Sequence, residues 1–150
     1  MKIIKIIILV LLVAFVCIQF VPTKLNQSNM VPVTDFMLVN TVPKGIKNKL
    51  QVSCYDCHSN NTKYPWYNKI QPVAWVIEDH IKDGKKELNF NEWGALSNRR
   101  KASKMRSIIK QIKSNKMPLN SYTLIHNDAE FSDREKKELI DWITQLKDSL

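Results

Sequence analysis

Cys54, Cys57 and His58 stand together in the pentapeptide Cys54-Tyr55-Asp56-Cys57-His58. Two thiols separated by two residues, followed at once by an imidazole, form the Cys-x-x-Cys-His string that attaches haem c. The gap lets both sulfurs reach one face of a porphyrin and add to its two vinyl groups. The adjacent His falls beneath the iron and binds it from the same side. Other uses of paired thiols fit less well. A zinc site usually takes four ligands, and the chain has no second Cys-x-x-Cys and no closely spaced His pair. A thioredoxin-like pair needs a βαβ setting, and no strand is predicted. A simple disulfide, and with it a haem-free domain, remains as the plain alternative.

A second axial ligand is sought elsewhere in the chain. Met117 is the leading candidate, because Met117-Pro118 breaks a helix and proline stiffens the loop that presents the sulfur. A thioether ligand raises the reduction potential relative to a second imidazole. His80 is the rival: it lies on the apolar stripe of a predicted helix, where bis-His ligation or a hydrogen-bonded core position would account for it. His126, after the Met loop, could instead meet a propionate. Aromatic walls suit a flat porphyrin, and Trp66 and Tyr122 are the expected neighbours.

The elements that must position these residues are helical. Pro43 opens a short helix through Ile46 and Leu50 that runs into Cys54. Ser59 to Thr62 reads as a loop, and Pro65 interrupts the aromatic run Tyr64-Pro65-Trp66-Tyr67. Pro72 starts a second helix, with Val73, Val76, Ile77, His80 and Ile81 on one stripe and Gly84 as its stop. A third helix spans about 97–115, with Met105, Ile108 and Ile112 inward. Eight cations lie between Arg99 and Lys116 with no acid among them. Ser132-Asp133-Arg134-Glu135 is a capping box for the last helix. The expected fold class is all-α, a cytochrome-c-like domain with long loops wrapped around a covalent haem.

Lys2 and Lys5 precede an apolar run from Ile6 to Phe20. No small-residue cleavage site follows it. Residues 1–21 are therefore expected to be an uncleaved signal anchor that crosses the cytoplasmic membrane once, with a cleaved signal peptide as the alternative. Cys17 then reads as a membrane-buried residue, and the haem domain would face the periplasm. Residues 22–40, with Asn26, Gln27, Ser28 and Asn29, read as a linker, and 41–150 as the haem-c-binding domain. A net charge of +9 points to an acidic redox partner or an anionic lipid surface. Nucleic acid is not expected outside the cytoplasm.

With these residues in place the chain resembles the bacterial haem-binding domain family with a single CxxCH, common in Bacteroidetes. The resemblance covers roughly Val42 to Leu146. It rests on the pentapeptide, Tyr64-Pro65-Trp66-Tyr67, Leu88-Asn89-Phe90 with Trp93, Met117-Pro118 with Tyr122 and His126, and Trp142. The family often has a second Pro where this chain has Leu119, which alters loop stiffness but not the ligand set. The resemblance implies one covalent haem c and electron transfer. The chain is accordingly expected to be a carrier and not an enzyme. A haem-based sensor with an open or displaceable sixth position is the alternative, and a peroxidase-type enzyme would also need that open position.

Overall fold

The computed structural model describes residues 1–28 and 30–150. Among them all regular structure is helical, apart from one isolated antiparallel bridge between Gln27 and Asn61. The all-α expectation therefore stands, and the membrane-spanning part of it does not. The first helix, α1 (Lys2–Ile18), is 17 residues long, and no helix among the described residues is long and apolar enough to cross a membrane. At about 1.5 Å of rise per residue it reaches roughly 25 Å, short of a hydrocarbon core of about 30 Å. The apolar run extends to Phe20, but the helix stops before it. Gln19 caps it and exchanges hydrogen bonds with Gln71: Gln71 N donates to Gln19 Oε1 at 2.9 Å, and Gln19 Nε2 donates to Gln71 O at 3.1 Å. The expected single-pass anchoring in the cytoplasmic membrane is thereby overturned.

The stretch expected to be a free linker is fastened to the body. Ser28 N donates to Asn60 O at 3.1 Å and Thr62 N to Asn26 O at 2.9 Å. The Asn26 side chain donates to Ser59 O and Thr62 Oγ1 and accepts from Lys85 Nζ. Asp35 caps a short helix, α2 (Phe36–Val39), by accepting from Met37 N at 2.8 Å. Phe36 is buried and meets Trp93 edge-on with ring centres 4.8 Å apart. Asn29, part of the expected linker, lies outside the described residues.

Next come α3 (Lys44–Leu50), a π-helical turn (Gln51–Tyr55) and α4 (Asp56–His58), a continuous helical path. After α5 (Val73–Glu87), a 3-10 turn (Phe90–Ala95) inserts Phe90 and Trp93 into the core. The expected stop at Gly84 is not where α5 ends, since it runs three residues further. Then α6 (Asn98–Lys113) starts at Ser97, whose side chain accepts from Arg100 N. A short α7 (Asn120–Thr123) leads to α8 (Asp133–Asp148). The Ser132–Glu135 capping box is present, with both reciprocal bonds formed. α6 packs along α8, and α4 packs on α5. The core between them holds Leu50, Met105, Ile112, Leu139 and Ile143 around the Phe36–Phe90–Trp93 aromatic cluster. Burial of these side chains is the main force holding the helices together, at about 1.5–3 kcal/mol for each large one.

Candidate functional site

The helical path through α3 and α4 delivers Cys54, Cys57 and His58 on its last turns. Both intervening residues act as anchors. Tyr55 stacks on Phe90 with ring centres 4.9 Å apart, and its hydroxyl donates to Asp35. Asp56 accepts from Tyr122 Oη at 2.8 Å and from Lys63 N at 3.1 Å. One turn earlier, Ser53 Oγ donates to Ala129 O in the interior. The pentapeptide is thus clamped by Asp35, Lys63, Phe90 and Tyr122, and the residue before it by Ala129.

His58 Nδ1 lies 2.9 Å from Leu88 O. A carbonyl only accepts, so Nδ1 carries the proton and Nε2 keeps its lone pair. Burial pushes the His58 pKa below its usual value, so the ring is held neutral. A backbone carbonyl that fixes tautomer and ring orientation is the support that metal-ligating His side chains typically have. α5 sits close behind the motif. A Cβ placed on Gly84 would lie 2.7 Å from Cys57 O. Gly84 is therefore a point where α5 and the cysteine segment approach too closely for a side chain, which explains a glycine inside a helix better than a stop signal does.

Cys54, Cys57 and His58 line a cavity of about 290 Å³. Its second wall is one face of α5, with His80, Asp83, Gly84 and Glu87 at helical spacing. Its third is the loop with Met117, Pro118, Leu119 and Tyr122. The end of α6 aims that loop. Asn115 takes a left-handed conformation (φ 53°), Lys116 N donates to Gln111 O, and Asn115 N donates to Ile112 O. This Schellman ending closes the helix two residues before Met117.

The structure thus brings the two cysteines, His58, Met117, His80 and Tyr122 to one cavity. His80 is otherwise exposed. Trp66 is not in this group: it is 76% exposed and meets only the edge of Tyr67 among the rings. His126 is engaged elsewhere, with Nε2 2.8 Å from Tyr67 Oη and its ring stacked on Tyr122 at 4.3 Å. Asp56, Gly84 and the Leu88 carbonyl are site residues that the sequence does not reveal. Only Gly84 leaves a trace there, as a helix-breaking residue inside an apolar stripe.

Among the described lining residues the charged ones are Asp56, Asp83 and Glu87, with no Lys or Arg. Cys54 and Cys57 are free thiols. Burial, and then the neighbouring Cys57, pushes Cys54 up to about 12. Burial, and then Asp56, pushes Cys57 up to about 11. Both thiols keep their protons to higher pH when folded than when unfolded. Their contribution to stability is complete below the ordinary thiol value of 9.0 and is lost as pH rises through about 11 and about 12. The haem-free protein is therefore expected to lose stability from pH 9 toward pH 12. Urea midpoints measured across that range should fall less steeply in Cys54→Ala/Cys57→Ala, and equal slopes would contradict the assignment.

The cavity's donors suit iron porphyrin: two thiols three residues apart, a neutral imidazole whose Nε2 keeps its lone pair, and a thioether. The comparison with known proteins agrees on the cofactor. Residues 13–145 match the family profile described as haem-binding domain, a span that includes the cysteine helix, α5, Met117 and Tyr122. No curated protein and no solved structure matches the chain. Because the profile extends over most of its length, the chain belongs to the haem-binding domain family.

Proposed function

We propose that this haem-binding domain holds one haem c, joined through Cys54 and Cys57 and ligated by His58 and Met117, and that it carries electrons. One observation supports the reading above others: a single cavity gathers Cys54, Cys57, His58 and Met117 from two separate stretches of chain. When bound, the group supplies reversible one-electron exchange at iron. The protein's part is positioning. The Nδ1–H bond to Leu88 O stops the His58 ring from rotating and leaves Nε2 to donate. The Schellman ending of α6 and Pro118 fix the backbone on both sides of Met117. If His58 and Met117 both held the iron, no position would be left there for a substrate, which is the basis for a carrier and not an enzyme.

The surface supports an acidic redox protein as partner. The cations of α6 and its C-terminal extension, Arg99 to Lys116, make no ion pairs among the described residues. Lys104 instead donates to Glu87 O. A field of unpaired positive charge speeds encounter with an acidic protein and makes the rate fall with salt. A haem-based sensor is the second reading. It is favoured by the half-buried position of Met117, a setting from which a small ligand could displace the thioether.

Absorption spectra of the matured protein separate these readings. The oxidised wild type should show the weak red charge-transfer band of Met-ligated ferric haem. Met117→Ala should abolish it and turn the iron high-spin, while His80→Ala should keep it. A high-spin wild type, or loss of the band in His80→Ala alone, would overturn the carrier assignment.

A further inference from the structure

Asp35 is 2% exposed and lies in the stretch that the sequence presents as linker. Its carboxyl group meets two N–H donors and one hydroxyl. Oδ1 accepts from Met37 N at 2.8 Å, Oδ2 accepts from Asn91 Nδ2 at 2.8 Å, and Tyr55 Oη reaches both oxygens at 3.3 and 3.2 Å. In the ionised state all three groups donate to it; a protonated carboxyl could pass its hydrogen only to the Tyr55 hydroxyl, since the two N–H groups cannot accept. No Lys or Arg pairs with it among the described residues. A buried charge without a counter-ion is costly and is retained where something nearby repays it.

Its partners lead straight to the cysteine segment. Tyr55 is the residue after Cys54, and its ring stacks on Phe90, which in turn faces His58 edge-on at 6.3 Å. Asn91 is itself 2% exposed, and its Oδ1 accepts from Asn60 N, two residues after His58. Three residues before Asn91 stands Leu88, whose carbonyl holds His58 Nδ1. One carboxylate therefore braces the motif, the loop that leaves it and the segment that orients the imidazole.

We propose that Asp35 is a positioning residue that also serves as a fixed negative charge, biasing the cofactor toward its oxidised state. The inference rests on the haem c reading above. Oxidation adds one positive charge at iron. An uncompensated carboxylate in a low-dielectric interior stabilises that charge, and burial keeps salt from screening it. Local charge and hydrogen bonding are among the recognised controls of haem potential.

The two ends of the Tyr55–Asp35 hydrogen bond make the test. Asp35→Asn keeps the shape and removes the charge. Its midpoint potential, read by spectroelectrochemical titration, should rise by about a tenfold change in the ferric–ferrous equilibrium, equal to about 59 mV for a one-electron couple. Tyr55→Phe keeps the charge and removes a donor that offsets it, so its midpoint should fall. A merely structural role would not give opposite signs. An unchanged or lowered midpoint in Asp35→Asn overturns the proposal, as does a raised one in Tyr55→Phe. If Asp35→Asn does not fold, the sign in Tyr55→Phe still decides. In haem-free protein with 13C-labelled Asp, one buried carboxyl should keep its ionised chemical shift at neutral pH in the wild type and disappear in Asp35→Asn; a protonated shift for that carboxyl also overturns it. A haem stain of the wild type reports the haem c reading separately. A stain-negative wild type with an ionised Asp35 would remove that reading and the electrostatic role built on it, while sustaining the brace.

Discussion

Cys54→Ser/Cys57→Ser is expected to remove covalent haem completely. Each serine keeps the approximate size of the side chain but supplies no sulfur to form a thioether. Neither cysteine is in a disulfide, so the fold loses no cross-link. Small polar-for-thiol changes at half-buried positions should cost only about 1 kcal/mol. The variant should therefore be folded, with any pigment removable by acid–acetone. A denaturing gel stained for haem checks this: the wild type should stain, either single variant should stain less, and the double variant not at all. Stain persisting in the double variant would end the covalent assignment. His58→Ala should differ in kind, keeping attachment sites while losing the proximal nitrogen that the Leu88 carbonyl holds in place.

Gly84→Val should have the second-largest effect, and on the protein before any cofactor is considered. A Cβ at this position would stand 2.7 Å from Cys57 O and 3.3 Å from Cys57 Cβ. The nearest obstacle is backbone, which cannot swing aside as a long side chain could. α5 would have to retreat from α4, opening one wall of the cavity and loosening the cysteines together. Overpacking of this kind costs about 1–3 kcal/mol. Even Gly84→Ala, which gains about 1 kcal/mol of helix propensity, should be destabilised on balance. Gly45 in α3 is the internal control, because nothing lies within 4 Å of a Cβ built there. Gly45→Ala should leave the melting temperature unchanged or raise it. Thermal melts of the three variants, ranked in any other order, would show that the Gly84 contact is not tight in solution.

Signals carried by neighbouring residues were legible in the sequence. Ser132 and Glu135 are three apart, so their capping box could be read directly, and it forms. The inward residues Met105 and Ile112 follow the helical repeat, and both are buried. The pentapeptide and Met117-Pro118 announce themselves by residue type, and the fold places them on one cavity. What could not be read depends on distant partners. Asn26 looks like loop composition, yet its side chain joins Ser59, Thr62 and Lys85, from 33 to 59 residues away. Asp35 resembles any polar linker residue until Asn91 and Tyr55 close on it. The Leu88 carbonyl is backbone and leaves no mark in the sequence. The first helix misled for the opposite reason. Its apolar run is a strong local signal, but where it ends is set by Gln19 meeting Gln71, 52 residues later.

The π-helical turn at Gln51–Tyr55 has a consequence for register. Such a turn amounts to one residue inserted into an otherwise α-helical path. Each residue advances an α-helix by about 100°. Were the same five residues wound as regular α-helix, Leu50 could keep its buried seat while both sulfurs and the imidazole swung by roughly a quarter-turn around the axis. The swelling in the helix is thus the phase shift that allows one continuous rod to show oil to the core and chemistry to the cofactor.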